Sequence, residues 1–179
     1  MKKILLLFFL FLNTLFANEN GWNSLHKAVF EEDYEKVKIL IKNIDIDLQT
    51  TAGLTALHMA VKKRDLKMVK LLVENDANIN AQDNKGFSVL YYAVLQNLIE
   101  IARYLLNHEA DANLENNIGN APIHNIAYRN RFEMLDLFLN YNVDLNKKNK
   151  YGALPYEFAQ KNGNTAMVAQ LKRLKSLIK

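Results

Sequence analysis

The sequence predicts an all-α solenoid of about five stacked units, each a helix-turn-helix followed by a turn or finger loop. Three observations carry this expectation. Five glycines, Gly21, Gly53, Gly86, Gly119 and Gly152, recur at intervals of 32, 33, 33 and 33 residues. Each opens a related segment: GWNSLHKA, GLTALHMA, GFSVLYYA, GNAPIHNIA and GALPYEFA. Apolar stretches at 36–41, 68–73, 101–106 and 134–139 follow in the same register. A fixed period of this length marks units that hide their apolar faces only against their neighbours.

Taken in chain order, residues 1–17 read as a secretory signal peptide. Lys2 and Lys3 precede the apolar run Ile4 to Leu12, and Ala17 precedes the polar Asn18-Glu19-Asn20. The stretch from Ile4 to Ala17 is too short and too polar at Asn13 and Thr14 for a membrane span, which needs about 20 apolar residues. The repeat domain is expected over 18–179, with units at 18–49, 50–82, 83–115, 116–148 and 149–179.

In each frame the glycine suits a turn with positive φ. Ser24, Thr55 and Ser88 supply a hydroxyl to cap the first helix. The fourth and fifth frames carry Ala121 and Leu154 there, followed by Pro122 and Pro155, and proline at the first helical position starts a helix by a different route. Ala28, Ala60, Ala93 and Ala159 are small enough for close helix approach. One residue is missing just before Ile44, in the turn leaving the second helix of the first unit. The last unit reads as a terminal cap because charges replace apolar residues along 167–175, and Lys27, in the slot of Met59 and Tyr92, suits an exposed first unit.

Aligned on their glycines, the frames resemble the ankyrin repeat, with its G-x-T-P-L-H-x-A-A opening, its V-x-x-L-L second helix and its G-A-D-V-N tail. The tails here are Ile44-Asp45-Ile46-Asp47, Ala77-Asn78-Ile79-Asn80, Ala110-Asp111-Ala112-Asn113 and Val143-Asp144-Leu145-Asn146. The resemblance spans 18–179. It implies that His26, His58 and His124 hydrogen-bond the turn backbone, that His108 belongs to the helix-leaving turn, and that Gly163 separates the two helices of the last unit.

Chemistry finds little purchase. The chain has no cysteine, so thiolate ligands, disulfides and a cysteine nucleophile are excluded. Repeat translation keeps the slot histidines apart, against convergence on one metal. Ser24, Ser88 and Ser176 lie in no G-x-S-x-G elbow, and there is no phosphate-binding glycine loop. No enzyme activity and no cofactor are expected. Cleavage after Ala17 removes two of 23 basic residues against 19 acidic ones, lowering the formal charge from +4 to +2. Nucleic-acid binding thereby loses its electrostatic support.

The expected function is therefore non-enzymatic binding of a protein partner, by a monomer in a bacterial periplasm or outside the cell. High Asn, Lys and Ile usage with a lysine-led leader is the basis for a bacterial origin. The resemblance implies contact through turn tips and the concave end of the first helix. Carried onto this chain, that surface includes Trp22, Leu54 and Phe87 after their glycines, Phe30, Leu95 and Tyr128 at the helix ends, and Ile118 and Tyr151 at the tips. Trp and Tyr are favoured anchors. Lys62, Lys63, Lys85 and Arg129, with Lys150 and Lys161, face mainly Glu19 and Glu31 in opposition and would steer an acidic partner.

Other readings stay open at this point. Trp22 could merely cover the first edge, with Phe87 folded onto its own turn. The resemblance also admits a periplasmic chaperone or haem-handling accessory protein of an oxidative-stress enzyme, with Tyr91, Tyr92 and Tyr128 as ring contacts, although no haem motif is present. It admits equally an effector acting on host proteins.

Overall fold

The computed structural model describes residues 20–177; the expected signal peptide lies outside them. The described residues form ten helices and no strand, in agreement with the all-α expectation. They divide into two compact units, the first ending at Asn84 and the second beginning at Lys85.

The first unit contains α1 (Ser24–Phe30), α2 (Tyr34–Leu40), α3 (Ala56–Lys62) and α4 (Leu66–Val73). Helix α1 packs on α2, α3 on α4, and α1 on α3. The second unit contains α5 (Val89–Gln96), α6 (Ile99–Asn107), α7 (Pro122–Tyr128), α8 (Phe132–Phe138), α9 (Pro155–Lys161) and α10 (Thr165–Leu177). There each first helix packs on its own second helix, α7 packs on both α5 and α9, and α8 packs on α6.

The apolar spacing of the sequence supplies the core. Ala28, Ala60, Ala93 and Ala159 are completely buried, as are Val37, Met68, Val69, Leu72, Met134 and Leu135. Helix α10 buries only Met167 and Leu171 over its 13 residues. Among the described residues no helix is long and apolar enough to cross a membrane.

The helix starts follow the sequence with one correction. Thr55 and Ser88 cap α3 and α5, accepting the His58 and Tyr91 backbone N–H groups. Pro122 and Pro155 each occupy the first helical position. Ser24, however, is the first residue of α1, and its cap is Asn23, whose Oδ1 accepts the His26 N–H at 2.9 Å. Asn23 lies at the same distance from its glycine as Thr55 and Ser88 do. Both Asn and Ser make good caps, so local preference did not choose between these neighbours.

Each hairpin between helices passes through one left-handed residue. Glu32, Arg64, Asn97, Asn130 and Gly163 hold equivalent positions, with φ between 56° and 73°. A second left-handed residue follows the second helix at Asp76, Glu109 and Asn142. In the first two of those turns a bond five residues back closes the helix end, as Ala77 N–H donates to Leu72 C=O and Ala110 N–H to Leu105 C=O. The residue missing before Ile44 is this left-handed one, and Ile44 N–H instead donates four residues back, to Leu40 C=O at 2.9 Å. The shorter turn keeps the carbonyl satisfied, which is why the 32-residue interval is tolerated.

Candidate partner-binding surface

The turn tips are built by backbone pairing and by one buried polar residue in each frame. Thr51 N–H donates to Asn20 C=O and Asn84 N–H to Ala52 C=O in the first unit. In the second, Asn117 N–H donates to Lys85 C=O and Lys150 N–H to Ile118 C=O. Asn116 Oδ1 accepts from the Ile118 and Asn120 N–H groups, and Asn149 Oδ1 from those of Tyr151 and Ala153, at 2.9–3.1 Å. The Asn149 amide then donates to Asn120 Oδ1 at 2.9 Å. These bonds hold Ile118 and Tyr151 at the tips, where they stand 45% and 80% exposed.

The slot histidines fasten each tip to a helix. His26 Nδ1 accepts the Asn23 N–H at 3.3 Å, so the ring proton sits on Nε2, which donates to Leu54 C=O at 3.2 Å. His124 does the same with the Ala121 N–H at 3.1 Å and Ala153 C=O at 3.3 Å. His58 Nδ1 meets the Thr55 N–H at 3.2 Å and its hydroxyl at 2.9 Å. All three side chains are buried. His108 is exposed, with Nδ1 at 2.8 Å from Tyr104 C=O.

Burial holds the His26 and His124 pKa values below the ordinary 6.5, outweighing the carbonyl contacts that favour the charged ring. Below pH 6.5 the unfolded chain therefore takes up protons that the folded chain refuses. Stability is full above that pH and falls as pH drops toward the folded-state values, by up to about 1.4 kcal/mol per pH unit for each ring. Urea titrations at pH 7.5 and 5.5 should show the loss, and His124→Gln should lessen it while leaving the His26 share; a wild-type profile flat across this range would contradict the account.

The residues expected to bind a partner fall into local clusters. In the first unit Trp22 stacks on Phe30 with ring centres 5.0 Å apart, and Lys63 Nζ lies 4.9 Å from the Phe30 ring centre. Phe30 is 49% exposed. Lys63 is also paired with Glu32 at 2.9 Å, so its charge is partly matched. Lys62 is exposed. Trp22 and Leu54, expected in exposed slots, are only half-buried. The rings of Trp22 and Phe30 meet at a tilt of 59°.

In the second unit Phe87, also expected exposed, is half-buried against its own turn, with its ring 4.8 Å from Tyr91 and 6.1 Å from Tyr92. Leu95 is half-buried, whereas Lys85, Tyr128 and Arg129 are exposed. Ile118 and Tyr151 rim a cleft of about 560 Å³ with Phe158 and Lys161. A second cleft of about 290 Å³, lined by Tyr91, Asn125 and Tyr128, shares Asn120, Phe158 and Lys161 with the first. Phe158 is fixed by an edge contact with His124, at 5.0 Å.

Sequence reasoning placed Asn120 in the slot after its glycine but missed Asn125 and Phe158. The visible signal was Tyr91, which replaces histidine in the third frame and lines the smaller cleft. Burial pushes the Tyr91 hydroxyl up to about 12, so it stays protonated at neutral pH.

A family model described as Ankyrin repeats (3 copies) matches residues 25–116, just over half of the chain. No curated protein matches as a relative. With glycine-led paired tips, capping rings and helical hairpins in that register, the chain belongs to the ankyrin-repeat family, whose repeats are generally protein–protein interaction modules.

Proposed function

We propose that this chain is an exported, non-enzymatic adaptor of a bacterial periplasm that binds a protein partner through turn tips and first-helix ends. The observation that carries the reading is the set Phe30, Ile118, Tyr128 and Tyr151. All four are large apolar groups left exposed, Phe30 at a first-helix end of the first unit, Tyr128 at a first-helix end of the second, and Ile118 and Tyr151 at the second unit's tips. Ordered rings pay little entropy on binding, so such a set suits a partner interface. Lys62, Lys85 and Arg129 beside these groups favour an acidic partner. Export rests on the lysine-led apolar run at the N-terminus.

Phe87 is a poor probe, because it is itself half-buried and its removal would unpack the buried Tyr91. The exposed pair is better. Phe30→Ala combined with Tyr151→Ala is expected to leave the melting temperature within a few degrees and to cut capture of a partner from periplasmic extract by about tenfold or more. Undiminished capture would remove this surface from consideration.

A further inference from the structure

We propose that the paired clefts of the second unit seat an extended segment of an acidic partner, with a carboxylate on Lys161 and a main-chain N–H on Asn125. This rests on the protein-binding reading above and specifies the chemistry of its occupant. Three observations on the same walls converge.

The first is a departure from the repeat. Where His26 and His124 bridge a helix start to the following turn, the third frame has Tyr91, whose ring joins Tyr128 and Phe158 in lining the smaller cleft. The second is polar. Asn125 Oδ1 is shielded from water and has no hydrogen-bond partner among the described residues. An acceptor in that state is costly, and rotation of the amide into the cleft that Asn125 lines would bring it to a peptide N–H, a donor with an apolar chain on either side.

The third is charge. Lys161 lines both clefts and makes no ion pair among the described residues. The one carboxylate among the lining residues, Glu157, lines the larger cleft alone, where it accepts the Leu154 N–H at 2.7 Å. The smaller cleft thus offers a cation with no carboxylate in its lining, between aromatic walls. Volumes of about 290 and 560 Å³ suit a few side chains of a linear segment.

The test uses the full chain and three fluorescein-labelled hexapeptide pools of equal aromatic and aliphatic content, carrying two Glu, two Gln or two Lys. All are amidated at the C-terminus, so that any carboxylate is a side chain. Anisotropy should show the Glu pool binding about tenfold tighter than the Gln pool, with the Lys pool weakest. Lys161→Gln should abolish that preference without changing the melting temperature, since the side chain is exposed. In amide NMR spectra the Asn125 side-chain resonances should move on saturation with the Glu pool. Equal binding of the pools, a preference that survives Lys161→Gln, or an unmoved Asn125 amide would each overturn the proposal. Partner capture that is lost in the Phe30→Ala, Tyr151→Ala variant but kept in Lys161→Gln would leave the general binding reading standing and this one refuted.

Discussion

Gly86→Ala is expected to cost about 3 kcal/mol of unfolding free energy, and Gly152→Ala only about 1 kcal/mol. Both glycines sit at φ 77°, in the left-handed region where a side chain is strained. At Gly86 a second effect is added. A Cβ there would lie 2.6 Å from the Asn117 backbone nitrogen and 2.9 Å from the Asn116 carbonyl carbon. Backbone cannot swing aside as a long side chain can, so the tip pairing from Asn117 N–H to Lys85 C=O must be forced apart. At Gly152 nothing lies within 4 Å of the added atom. The difference between the two variants therefore isolates tip stacking from backbone conformation. Urea denaturation of both decides the matter, and equal losses would show that stacking contributes nothing to the glycine requirement.

Arg131→Met is expected to cost about 1–2 kcal/mol, through loss of the guanidinium's bonds to the carbonyls that end α5, of which Val94 C=O keeps the Asn97 N–H at 3.1 Å. Arg131 precedes α8 but does not cap it. Its guanidinium reaches back to the end of α5, donating from Nη1 to Val94 C=O and from Nη2 to Leu95 C=O. Asn164 repeats the arrangement one frame later, with its amide donating to Ala127 and Tyr128 C=O at 3.2 and 2.7 Å. In the first unit the same position holds Asp33 and Asp65, which instead cap their own helices by accepting the Lys36 and Met68 N–H groups. Methionine keeps much of the arginine's length while removing every donor. A loss below about 0.5 kcal/mol in chemical denaturation would mean that water satisfies those carbonyls as well as the guanidinium does.

Much of the scaffold was legible because it depends on local rules repeated in register. A turn that needs positive φ selects glycine, a helix start selects a cap or a proline, and a close helix crossing selects alanine. Five copies of the first two choices and four of the third make the pattern hard to mistake. The assignment of Ser24 failed where two adjacent residues satisfied the same local rule. The interaction surface was less legible for a related reason. Position in the frame names which slots face outward on average, but neighbouring rings decide the exposure of each. Trp22 lies on Phe30 and Phe87 on Tyr91, whereas Tyr151, held by Asn149, stands clear.

By itself, the sequence determined the all-α repeat class, its period, its proline-led starts and the place of the missing residue before Ile44. These follow from backbone conformation and apolar spacing, which act within one or two repeats. Only the tertiary structure decided that Arg131 serves the carbonyls of α5, that Asn125 Oδ1 is shielded without a partner among the described residues, and that Lys161 lies among Tyr91, Tyr128 and Phe158. Those groups stand tens of residues apart in the chain, and their meeting depends on how neighbouring repeats pack.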